Sequence, residues 1–241
     1  MCTATYIPLT PNGFILTHSR DEKAIRPPAQ LPQPVRIGDH TVTFPKDPQG
    51  HGTWIAASAE LTVCLLNGGF VPHQPQPPYQ HSRGLVPLHV FTYPTIQAFV
   101  DGYDFTGIEP FTLLSLQWNR LTELRWTGQR LFVHDKDPNR SHIWSSVTLY
   151  SADVIDRREA WFRDWQLSHP TPAVGDIRLF HQFTGDGDEA NALRMNRNNE
   201  LFTVSLTSVV QHPGQTEMIY EDFGQQTFSH VSIHESVYAT A

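Results

Sequence analysis

The Asn12-Gly13 step, preceded by Pro11, constrains this chain more than any other short feature. Asn-Gly is a strong hairpin signal because both residues tolerate the positive φ that a tight turn between twisted strands demands. The flanking stretches, 3–9 and 14–20, are rich in Thr, Ile, Leu and aromatic residues and read as two antiparallel strands. Counting outward from the turn sets Cys2 opposite roughly Arg20 to Glu22, so Ser19-Arg20-Asp21-Glu22 falls beside the second residue of the chain.

Further along, Thr53–Ala57 and Leu61–Leu66 read as a second strand pair joined by Ser58-Ala59-Glu60 and stopped by Asn67-Gly68-Gly69. The proline-rich stretches 26–34 and 72–78 read as loops. Leu85–Val100 reads as helical with a break or kink at Pro94. Phe111–Gln117, Glu123–Trp126 and Gln129–Val133 read as strands. Asp153–Leu167 sets Val154, Ile155, Trp161, Phe162 and Trp165 among charges and reads as an amphipathic helix, with a shorter one at Ile177–Phe183. Strands return at Leu201–Val210, Glu217–Tyr220 and Thr227–Ile233. No internal repeat and no linker divides the 241 residues, which are expected to form a single domain, 1–241. This order of elements points to an α+β architecture with antiparallel sheets and helices layered on them.

Charge narrows the partners. Lys and Arg number 17 against 24 Asp and Glu, giving −7, a balance that attracts neither nucleic acid nor anionic membranes. No apolar run approaches the ~18 residues of a membrane span. The start of the chain lacks the basic and apolar regions of a secretory signal, and the only cysteines are Cys2 and Cys64. A reduced, cytoplasmic setting is expected. The 13 histidines are scattered, and no His/Cys/Asp cluster has zinc spacing, so neither a metal nor another cofactor is expected. The expected partner is a small-molecule substrate or ligand, and nothing in the sequence signals an oligomeric state.

The chemistry concentrates at the N-terminus. Removal of Met1 before the small residue Cys2 would put an α-amine and a thiol on one residue. Their ordinary pKa values, about 7.7–8.0 and about 8.5, make the amine a built-in base and the thiol a nucleophile within reach of neutral pH. Arg20 is suited to lowering the thiol and holding an oxyanion, and Asp21 to accepting a hydrogen bond from the α-ammonium or orienting the thiol. Asn67, at a strand end before two glycines, is suited to stabilising an oxyanion.

Met1-Cys2, Ser19-Arg20-Asp21-Glu22, Gly50-His51-Gly52-Thr53-Trp54-Ile55, Leu66-Asn67-Gly68 and Ser82-Arg83-Gly84 occur in this order, and together they resemble the NRDE family, which includes the transport and Golgi organization 2 proteins. The clear match covers residues 1–90. Weaker matches follow at Trp144-Ser145-Ser146-Val147-Thr148-Leu149-Tyr150 and Thr203-Val204-Ser205-Leu206-Thr207-Ser208-Val209. The family is similar to N-terminal-nucleophile (Ntn) hydrolases. That similarity implies a four-layer αββα sandwich of two antiparallel sheets between helices. A more distant similarity to penicillin V and bile-salt amidases implies Cys2 as nucleophile, Arg20 and Asp21 as its neighbours and Asn67 as oxyanion donor. Ser19, His51, Trp54, Ser145 and Ser146 are then the candidate substrate contacts. Two departures stand out. Ser19 replaces the Asn of the family motif, and the mid-chain segment Ser145-Ser146-Val147-Thr148 lacks the second Asn of the amidases. Arg194 and Arg197 are candidates for their late Arg.

Two functional readings result, beside a weaker third in which the chain is a purely structural partner-binding domain. In one, the chain is a hydrolase cleaving a linear amide through an acyl-enzyme on Cys2. In the other, the departures mark a non-catalytic carrier on the same fold, with haem or another apolar molecule as its ligand.

Overall fold

The computed structural model describes residues 2–117 and 119–234. The first hairpin forms in the expected place, but its turn is the three residues Thr10-Pro11-Asn12 rather than the Asn12-Gly13 step, because Gly13 already pairs with Leu9 as the first residue of the second strand and has no positive φ. β1 (Cys2–Leu9) and β2 (Gly13–Lys23) pair antiparallel with Cys2 opposite Arg20. Asn12 takes a positive φ of 54°. Gly13 is needed for space, since a Cβ there would lie 2.4 Å from the Gln211 carbonyl oxygen.

The strands that follow are β3 (Gln30–Ile37), β4 (His40–Lys46), β5 (Ile55–Ala57) and β6 (Leu61–Asn67). A 3-10 turn at Arg83–Leu85 leads into the short helices α1 (Val86–Val90) and α2 (Ile96–Gly102). Then come β7 (Phe111–Gln117), β8 (Arg120–Trp126), β9 (Leu131–Lys136) and β10 (His142–Ser145). The helices α3 (Ala152–Ser168) and α4 (Val174–Phe183) precede β11 (Asn196–Arg197), β12 (Leu201–His212), β13 (Gln215–Asp222) and β14 (Thr227–Ile233). Two antiparallel seven-stranded sheets result. One runs β10-β1-β2-β12-β13-β14 with β11 added beside β12; the other runs β3 to β9 in chain order.

Three apolar layers hold these elements together. Between the sheets lie Tyr6, Phe14, Leu16, Ile55, Leu66, Leu114, Trp144, Val209 and Met218. Under α1 and α2, Val86, Val90, Ile96 and Phe99 meet Val42, Val63, Phe111 and Leu113. Under α3 and α4, Phe162, Ile177 and Phe180 meet Ile7, Ile15 and Val210. Each such side chain contributes about 1.5–3 kcal/mol when fully buried. The fold is thus an α+β four-layer αββα sandwich. Among the polar contacts between the two sheets, Trp144 Nε1 donates to Glu123 Oε2 at 2.6 Å.

The structure corrects several sequence expectations. The stretch 26–34 is not all loop, because β3 begins at Gln30 and contains Pro32 and Pro34. It is an edge strand, paired on one side only, where a missing N–H is tolerated. The expected helix over Leu85–Val100 is two short helices separated at residues 91–95, because Pro94 cannot continue a helix. β4, β10 and β11 are additional to the strands expected from sequence: β4 alternates through Thr41-Val42-Thr43-Phe44 but ends in Pro45, whereas β10 and β11 have only four and two residues, too few to show a period. No helix among the described residues is long and apolar enough to cross a membrane.

Candidate functional site

A cleft of about 500 Å³ opens at the Cys2 end of β1. Its lining includes Cys2, Arg20, Trp54, Asn67, Arg83 and Glu109. Cys2 and Arg20 share a face of the sheet because they are directly opposed across the ladder. Arg20 is pinned from two sides. Its Nη2 lies 3.1 Å from Asp47 Oδ2 and 3.5 Å from Glu22 Oε2. Its guanidinium carbon also sits 4.4 Å from the centroid of the Trp54 ring.

Asp47 anchors this wall. It accepts from Arg20, from Nε and Nη2 of Arg26, and from the backbone N–H groups of Gln49 and Gly50. Burial works against its charge, but the Arg26 and Gly50 hydrogen bonds and the Arg20 charge outweigh it and hold the carboxyl below its ordinary value. Across the cleft, Arg83 pairs with Glu109 at 3.0 Å and donates to the Pro110 carbonyl at 2.9 Å. Cys2 and Glu22 are near enough for their charges to bear on Arg83.

The Cys2 thiol is 3% exposed. Burial pushes its pKa up; the positive amino terminus and Arg20 pull it down, and Asp21 adds to the rise. The resting group is therefore a thiol, and a proton acceptor is needed before it can attack. Cys64, fully buried nearby, is pushed well above its ordinary value, first by burial and then by Cys2. Met1, whose removal the sequence reading requires, lies outside the described residues.

Asn67 ends β6 on the cleft wall, and among the described residues no hydrogen bond occupies its carboxamide. Ser146 links the two strand ends. Its N–H donates to the Cys2 carbonyl at 2.9 Å, and its hydroxyl donates to the Asn67 carbonyl at 2.7 Å. Ser146 thus acts from behind the cleft, and Ser145, paired with Thr3 in β10, does not line it.

Adjacent residues on a strand point to opposite faces. Asp21 and Ser19 therefore face the helical layer rather than the cleft. Asp21 is fully buried and accepts from Tyr150 at 2.6 Å and Thr203 at 2.7 Å. Burial raises its carboxyl, while Arg158, Tyr150 and Thr203 oppose the rise. Ser19 Oγ and Thr5 Oγ1 bind the two ring nitrogens of His181 at 2.7 and 2.8 Å. Arg158, also fully buried, donates to Thr3 Oγ1 and to the Asn191 and Ala192 carbonyls, and its guanidinium carbon lies 3.6 Å from the Tyr150 ring centroid. This polar layer braces β1 from behind.

The remaining candidates scatter. His51 is exposed with φ 57° and does not line the cleft, although Gly50 and Gly52 on either side do. Arg194 lies over the Phe223 ring, and Arg197 binds the carbonyls of Ala190 and Leu149 and the Asn191 side chain. Neither reaches the cleft. Sequence reasoning missed the roles of Asp47, Arg26, Arg83 and Glu109. Only Ser82-Arg83-Gly84, part of the family pattern, offered a signal.

The arrangement presents a buried thiol, a fixed guanidinium and a carboxamide around one polar cavity. Among the described residues no group of His, Cys, Asp and Glu is placed to hold a metal ion. No curated protein matches the chain. The model of one family, described as Transport and Golgi organisation 2, matches residues 1–174, well over half of the chain, which therefore belongs to the Transport and Golgi organisation 2 family.

Proposed function

We propose that this protein is an Ntn-type cysteine hydrolase that cleaves a linear C–N bond in a small polar amide. The observation that carries the reading is the direct opposition of Cys2 and Arg20 at the wall of a cavity whose other side includes Asn67. After Met1 removal, the α-amine takes the thiol proton and the sulfur attacks the amide carbonyl. Asn67 and a backbone N–H carry the oxyanion. The C–N bond breaks, the leaving amine receives the proton, and a thioester to Cys2 remains. Water, deprotonated by the same amine, releases the acid and restores the thiol. Arg20, held by Asp47, favours the thiolate; Asp21 and Ser19 support β1 from the far side. Cytoplasmic residence and a single domain over 1–241 complete the proposal.

The carrier reading has one observation in its favour, the burial of Cys2, which is 3% exposed. The cleft is lined by three arginines and three carboxylates, Arg20, Arg26, Arg83, Glu22, Asp47 and Glu109, which suits a polar substrate better than a porphyrin.

The deciding experiment screens purified protein and Cys2→Ala against small amides, with mass spectrometry of quenched reactions. Turnover and a substrate-derived mass on Cys2, both absent from the variant, support hydrolysis. Turnover unchanged in Cys2→Ala would contradict it.

A further inference from the structure

The alternation that puts Cys2 and Arg20 on the inner face of their sheet puts His18, Ser205 and Thr207 there too. The register runs Ala4–His18–Thr207–Tyr220 in one row and Cys2–Arg20–Ser205–Asp222 in the next. Opposed residues on neighbouring strands are about 5 Å apart, and residues two along a strand about 7 Å. His18 is therefore a diagonal neighbour of Cys2, and Thr207 lies directly beside His18.

These side chains are buried and poorly partnered. His18, Ser205 and Thr207 are each 0% exposed. Both ring nitrogens of His18, Ser205 Oγ and Thr207 Oγ1 lack a hydrogen bond of good geometry, and so does Nε1 of Trp54, whose ring stacks on Arg20; the Tyr220 hydroxyl, which donates to Asp222, is near enough to Ser205 to feel it. The Leu65 backbone is close enough to favour a charged His18 slightly, without forming a hydrogen bond to either nitrogen. Burial, the amino terminus, His181 and Arg20 together keep the ring neutral. A neutral imidazole has one donor and one acceptor, and each costs about 1–3 kcal/mol if left unmet in a protein interior. Polar groups gathered in this way are normally met by buried water, which needs two to four partners.

We infer that the inter-sheet layer behind Cys2 is a water site held by His18, Ser205 and Thr207, and that its water reaches the Cys2 sulfur, making His18 a positioning residue for the thiol. The role in catalysis rests on the proposed hydrolase reading; the water site does not. The thiol proton goes to the α-amine; the water donates a hydrogen bond to the thiolate as it forms and accepts one from the N–H of the neutral ring, so no proton moves to or from His18. Among the described residues the groups facing the thiol are Arg20 on β2, Arg83 across the cleft, Cys64 on β6 and, through the sheet, Asp21.

The test combines two measurements on the full-length protein, Thr207→Val and His18→Gln. The first is magnetisation transfer from water to the His18 ring protons by NMR. The second is the pH profile of Cys2 alkylation by iodoacetamide, read by peptide mass. The expected result is a water signal at His18 that weakens in Thr207→Val, whose side chain keeps nearly the same shape. The Cys2 midpoint should rise by roughly half a pH unit, about threefold slower alkylation near neutrality. Absence of water at His18 in the unaltered protein overturns the site. Water at His18 in the unaltered protein together with an unchanged Cys2 profile in both variants overturns the link to the thiol. Water at His18 with a shifted profile but no amide turnover would leave the inference standing and remove the hydrolase reading.

Discussion

The Ser146 hydroxyl donates to the Asn67 carbonyl at 2.7 Å while the N–H of the same residue donates to the Cys2 carbonyl at 2.9 Å. One small residue from the end of β10 thus fixes the spacing between the nucleophile candidate on one sheet and the oxyanion donor candidate on the other.

Ser146→Ala removes the hydroxyl link and keeps the N–H. Stability should fall by about 1 kcal/mol, the net worth of a neutral hydrogen bond. Turnover of any amide substrate should fall further, by about tenfold or more, because loss of positioning costs rate more than fold. Denaturant titration and initial rates on one preparation separate the two effects.

Asp47→Asn takes the shared carboxylate from Arg20 and Arg26. Breaking a buried ion pair by removing one partner costs about 3 kcal/mol, so the thermal midpoint should drop by roughly 10 °C. Freed from Asp47, Arg20 should also hold the Cys2 thiolate less well, and alkylation of Cys2 should slow. Calorimetry and a timed alkylation check both.

Gly52→Ala should damage the cleft wall. A Cβ at Gly52 would lie 2.1 Å from the backbone carbon and oxygen of Gly84, and the Thr53 N–H to Gly84 carbonyl bond of 2.7 Å holds the two segments together. Backbone must move to admit the methyl. The variant should lose at least about 2 kcal/mol and show faster hydrogen exchange at Thr53.

His181 predicts a pH dependence. Burial first, then Arg158 and Arg178, lower its pKa from 6.5 to about 3. The unfolded chain takes up this proton below pH 6.5 and the folded chain does not until about pH 3. Stability from this group is complete above 6.5 and falls as pH drops through that window, at up to about 1.4 kcal/mol per unit. Buried His18, lowered in the same direction, adds to the loss, and Asp21, raised by burial, acts in the opposite sense. The difference between wild type and His181→Gln isolates the His181 share. Urea midpoints at pH 7 and pH 5 should converge in the variant; equal slopes in both proteins would contradict the assignment.

How much of this was legible in sequence follows from periodicity. The opposition of Cys2 and Arg20 was readable because a tight turn fixes register and register fixes the face. The same period of two sends Asp21 and Ser19 to the other side of the sheet, yet sequence proximity had grouped them with Arg20. In α3 the buried stripe Val154–Arg158–Phe162 has helical spacing, but a charge at its centre gave no hint of the Tyr150, Thr3 and Asn191 groups that surround it. Pro32 and Pro34 disguised an edge strand as loop. Asp47, Arg26 and Glu109 were invisible because they meet only across long loops, where no local period reports contact.

The most direct test of Cys2 as an activated N-terminal nucleophile is the intact mass of the purified protein before and after brief iodoacetamide treatment at neutral pH. The account predicts loss of Met1 and a single fast alkylation that peptide mapping puts on Cys2, with Cys64 untouched. A retained Met1, or a Cys2 that reacts no faster than Cys64, would contradict it.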